Sequence, residues 1–122
     1  MTDVASAMAT LEDLAHRLDL ASRELYKVTE ELEPIERKYR EWIDDYEVGM
    51  YREAVESESR LPSEKLRERL ALSAMDHELR EMFLTFTARR ERMLRRIKDL
   101  GILIDAQRSL LSAYKVEVEA TT

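Results

Sequence analysis

The chain has 122 residues, the size of a single domain, with 38% charged and 44% hydrophobic side chains and only two Gly and two Pro, a mixture typical of long helices and coiled coils. The absence of Cys excludes disulfides, thiol nucleophiles and thiolate metal sites. A net charge of −6 works against indiscriminate DNA affinity, although residues 1–60 hold 8 basic and 16 acidic side chains and residues 61–122 hold 12 and 10, so the halves should attract each other.

Met1-Thr2-Asp3 offers none of the basic residues of a secretory leader. The longest apolar cluster, Gly101-Ile102-Leu103-Ile104, falls far short of the ~20 residues of a membrane span. A cytoplasmic protein without a membrane partner is expected.

The first arm, about residues 4–56, carries two interleaved sevenfold rows. One is Val4, Leu11, Leu18, Leu25, Leu32, Tyr39 and Tyr46; the other is Ala7, Leu14, Ala21, Val28, Ile35, Trp42 and Gly49. Rows offset by three and four residues share one stripe of a helix, the signature of a coiled-coil seam. Pro34 lies outside the stripe. It removes a backbone donor and crowds the preceding turn, and because the rows keep their phase across it, a kink is expected in preference to a break.

Residues 57–63, Ser-Glu-Ser-Arg-Leu-Pro-Ser, form the turn. Ser63 is suited to cap the next helix, with Glu64 in its first turn and Pro62 discouraging continuation from upstream. The second arm, about residues 64–118, allows a break near 73–76 and a short helix before it. Its rows are Leu72, Leu79, Phe86, Met93, Leu100, Gln107, Tyr114 and Phe83, Arg90, Ile97, Ile104, Leu111, Val118. Arg90 and Gln107 are polar faults in that seam, and Leu103 and Leu110 widen its apolar face. The expected fold is all-α: a long antiparallel helical hairpin or coiled coil, about 75 Å per arm at ~1.5 Å per residue. Such a hairpin has little core for its length, so association into a dimer or larger helical bundle is expected. Parallel pairing of long helices also satisfies the rows.

Residues 89–98 carry six basic side chains against one acid. Two readings stand open. Arg89, Arg92, Arg95, Arg96 and Lys98 could lie along nucleic-acid phosphates. Alternatively, a hairpin centred near 60–61 puts this stretch opposite residues 23–32, where Glu24, Glu30, Glu31 and Glu33 would neutralise it. Tyr39, Trp42, Tyr46 and Tyr51 cluster near the turn, either as a partner anchor or as core with polar tips at its edge.

Catalysis has little to work with. There is no Gly-rich phosphate loop, no Cys and no nucleophile elbow. Asp13-x-x-His16 and His77-x-x-x-Glu81 share helix faces, but a dinuclear carboxylate bundle needs two Glu-x-x-His pairs and further inward carboxylates. Solvated histidines, no metal and no cofactor are expected.

The stretch Leu61-Pro62-Ser63-Glu64-Lys65-Leu66-Arg67-Glu68, with Ala88-Arg89-Arg90-Glu91-Arg92, Leu100 and Ile104 to Glu117, resembles small helical coiled-coil proteins of tailed bacteriophages, often encoded among early DNA-metabolism genes. The resemblance covers roughly residues 60–118. It implies a phage product acting in the host cytoplasm, an accessory to replication, recombination or defence evasion, and it brings no catalytic residues. WXG-type secretion substrates are also short helical hairpins, but here Trp42 precedes Ile43-Asp44 and lies well before the turn. The sequence therefore points to a non-catalytic adaptor or inhibitor that binds itself and a protein partner. The acidic first arm, with Glu30, Glu31, Glu33, Glu36, Glu41, Asp44, Asp45 and Glu47, would imitate phosphates or fill a basic groove. The rival is a direct nucleic-acid binder using the basic stretch.

Overall fold

The structure, a computed structural model, describes residues 4–121. It contains three α-helices and, among the described residues, no strand: α1, Val4–Glu56; α2, Glu64–Ala74; and α3, His77–Thr121. Residues 57–63 separate α1 from α2, and Met75 and Asp76 separate α2 from α3. Helix α1 runs through Pro34 without interruption. Proline costs such a helix one backbone hydrogen bond, and here the ring is exposed at the outward position that the rows assign to it.

Helix α1 ends in a Schellman motif. The Ser59 amide donates to the Ala54 carbonyl at 3.0 Å, and Glu58 N–H to Val55 O at 3.4 Å. Glu58 takes the left-handed conformation (φ 52°) that usually falls to Gly in this motif. Helix α2 starts as its sequence dictates, with the Ser63 hydroxyl accepting from Leu66 N–H at 3.4 Å. It stops where Met75 turns extended (ψ 144°). Asp76 then caps α3, its Oδ2 accepting from Leu79 N–H at 3.2 Å. A strong N-cap followed by Glu78 in the first turn makes a new helix start competitive with continuing the old one.

The chain divides into two compact units. One comprises the chain up to Lys27 and from Arg90 onward; the other spans Val28–Arg89. In the first, α1 and α3 pack antiparallel. Ala7, Ala21, Leu100 and Ile104 are buried, and Leu11, Leu14, Leu18, Leu25, Met93, Ile97, Leu111 and Tyr114 are half-buried. Every one of these is a row position. Gln107, a polar fault in sequence, donates its side-chain amide to the Ala7 carbonyl at 3.2 Å, so the seam gains a cross-helix hydrogen bond there.

In the second unit the core is Val28, Leu32, Ile35, Ala71 and Met75, with Leu32 fully enclosed. Tyr39 stacks on Phe83 at 3.7 Å between ring centroids, 11° from parallel. Trp42 Nε1 donates to the Ala71 carbonyl at 3.0 Å. That carbonyl belongs to the last turn of α2, which lacks intrahelical donors, so the indole closes the end of the helix. The aromatic row is thus core at Tyr39, Trp42 and Tyr46, while Tyr51 remains 49% exposed.

A hairpin mirrored about residues 60–61 puts Tyr39 opposite residue 82 and Leu18 opposite residue 103. Tyr39 stacks on Phe83 and Leu18 lines a depression with Gly101 and Ile104, while the Gln107 amide reaches along to Ala7 and Arg17 shares a depression with Arg92, Arg95 and Arg96.

Candidate interaction surfaces

The basic stretch is built on α3. Arg92 and Arg96 are four residues apart and so share a face. With Arg95 and with Arg17 from α1 they line a depression of about 450 Å³, floored by Leu100 and edged by Asp99 and Leu103. Arg17 sits beside the seam of α1, one position before Leu18, which is why it meets the flank of α3. It also bridges to Asp13 at 3.0 Å, within one helix turn, with both side chains more than half exposed.

Among the described residues, none of Arg89, Arg92, Arg95, Arg96 and Lys98 forms an ion pair. Lys98 is exposed but does not line the depression, and Arg89 lies at the edge of the other unit.

The eight acidic positions do not form one uniform face. Glu30, Glu31, Glu33, Glu41, Asp44 and Asp45 are exposed, while Glu36 and Glu47 are half-buried. Glu33 bridges to Arg37 at 3.5 Å. Glu47 accepts from Arg67 Nε at 3.1 Å, with only 15% of the Arg67 side chain exposed. Arg67 also donates from Nη1 to the Pro62 carbonyl at 2.8 Å and lies 5.5 Å from the Tyr51 ring centroid. Glu47 is therefore spent on holding the turn. Sequence reading missed both Arg67 and Arg17. Arg17 alone had a usable signal, its place on the flank of the rows.

Apolar surface is left over. In the first unit Met8, Leu20, Leu94, Ile102, Leu103 and Leu110 are between 40% and 58% exposed. Leu103 and Leu110 stand seven residues apart on one flank of α3. In the second unit an open groove of about 650 Å³ runs along Pro34, Ile35, Leu79, Met82 and Phe86, rimmed by Glu31, Lys38, Asp76 and Glu78. Both histidines are exposed. Among the described residues no three His, Asp or Glu side chains gather as metal ligands, and no helix is long and apolar enough to cross a membrane. No protein-family model matches the chain, and no curated protein or solved structure matches it either.

Proposed function

We propose that this chain is a non-catalytic helical interaction protein, an adaptor or inhibitor, that associates with itself and docks on a protein partner. The observation that carries this reading is the apolar flank of α3, where Leu103 and Leu110 stay 52% and 40% exposed after the seam has formed. Exposed apolar surface of this kind, on a helix whose seam is already covered, is removed from water most readily by another helix. The sevenfold rows support a long antiparallel hairpin as the protomer and a dimer or larger bundle as the assembly. The resemblance to tailed-phage proteins supports a phage-encoded product working in the host cytoplasm on a protein of DNA metabolism or host defence. The exposed acids of α1, Glu30, Glu31, Glu33, Glu41, Asp44 and Asp45, are the surface proposed to enter a partner's basic groove.

The test is light scattering on the wild type and on Leu103→Gln/Leu110→Gln. Glutamine keeps helix propensity and removes the apolar flank. The reading predicts a wild-type mass at least twice the 14.4 kDa of one chain, falling toward one chain in the variant. A wild type that remains at one chain mass up to high protein concentration overturns the self-association.

A further inference from the structure

We propose that Arg17, Arg92, Arg95 and Arg96 form a site for the phosphates of a nucleic-acid backbone. Four guanidinium groups line one depression, against one carboxylate of the lining, that of Asp99. Arg17 brings Asp13 with it, but an exposed bridge within one helix contributes about 0.2–1 kcal/mol and exchanges readily for a stronger anion. Bringing like charges together costs free energy that an external anion relieves. Every cation in the lining is Arg, whose planar fork matches phosphate oxygens bidentately. Arg92 and Arg96 are spaced ~6 Å along the helix axis, and Arg17 faces them from the other helix.

Two features favour a phosphate chain over an acidic protein segment. The depression is open and shallow, which admits a continuous strand. Leu100 is buried, and Leu103, the other apolar side chain of the lining, belongs to the flank proposed to pair with a second copy of the chain, so the depression offers no apolar anchor of its own to a further protein partner. No aromatic residue lines the depression, so bases have no stacking platform. Binding will therefore be indifferent to sequence and steep in salt. Four neutralised phosphates give a log–log salt slope of about −3 on single strands and about −4 on duplex.

The experiment is fluorescence anisotropy with labelled single-stranded and duplex DNA across a salt series, using the full chain, with helicity checked by circular dichroism. Arg17→Gln and Arg92→Gln should each weaken binding by about 5–10-fold and flatten the slope by about one unit, whereas Lys98→Gln, basic but outside the lining, should stay within about twofold. The site is overturned if Arg17→Gln binds like the wild type or if Lys98→Gln weakens binding as much as Arg92→Gln. It is equally overturned if DNA does not bind at low salt, or if poly-glutamate of equal charge binds as tightly as DNA.

Discussion

Trp42 carries more of the second unit than its half-buried surface suggests. Its N–H satisfies the Ala71 carbonyl, one of the acceptors that every helix leaves open at its C-terminal end. Replacing it with Phe keeps most of the packing and orphans a part-buried carbonyl, at a cost of about 1–2 kcal/mol. Thermal unfolding of Trp42→Phe should begin several degrees lower, and an unchanged midpoint would mean that water serves the carbonyl equally well. This contact was not legible in sequence. The row showed that position 42 faces inward, but not that a helix would end opposite it. The same holds for Arg67, whose partners Glu47 and the Pro62 carbonyl lie 20 and 5 residues away with no periodicity linking them. Gln107 was visible as a fault, while its use was visible only once Ala7 lay beside it.

At the scale of elements, two backbone features store avoidable free energy. Glu58 holds a left-handed φ of 52° at the C-terminal cap of α1, where an L side chain is strained and Gly is not. Glu58→Gly should raise stability by about 0.5–1 kcal/mol in chemical denaturation, provided that the gain exceeds the added freedom of the unfolded chain. A loss would show that the Glu58 side chain contributes a contact of its own. Pro34 lies inside α1, and interior proline costs a helix about 3 kcal/mol against alanine. Pro34→Ala should therefore raise the denaturation midpoint clearly. A fall would show that the ring is needed where it lines the groove with Ile35 and Phe86.

The elements themselves were the most legible part of the chain. Seam positions from Leu11 to Tyr46 and from Leu79 to Tyr114 are buried or half-buried, because a sevenfold row states which face of a helix is covered whatever the partner. Ser63 and the break before Asp76 were readable because caps are local chemistry. Register was less legible, since a slip of one whole heptad keeps apolar facing apolar.

For the molecule as a whole, charge and apolar surface divide the work. The first 60 residues hold 16 acids against 8 bases, and eight of those acids stand exposed on α1 beyond residue 29. The arginine depression and the exposed Leu103 and Leu110 both belong to the unit built from the chain ends. Contact surfaces of opposite character on one small chain are what the proposed adaptor requires.

All of this depends on α1 and α3 meeting antiparallel within one chain, with Ala7 beside Gln107. The natural sequence has no Cys, so an Ala7→Cys/Gln107→Cys variant reports that contact without interference. On mild oxidation the account predicts a bridge closing inside single chains, seen on a non-reducing gel as a faster band at the mass of one chain. Disulfide-linked dimers formed readily by the Ala7→Cys single variant, with no internal bridge in the double variant, would mean that the rows pair in parallel between chains and would contradict it.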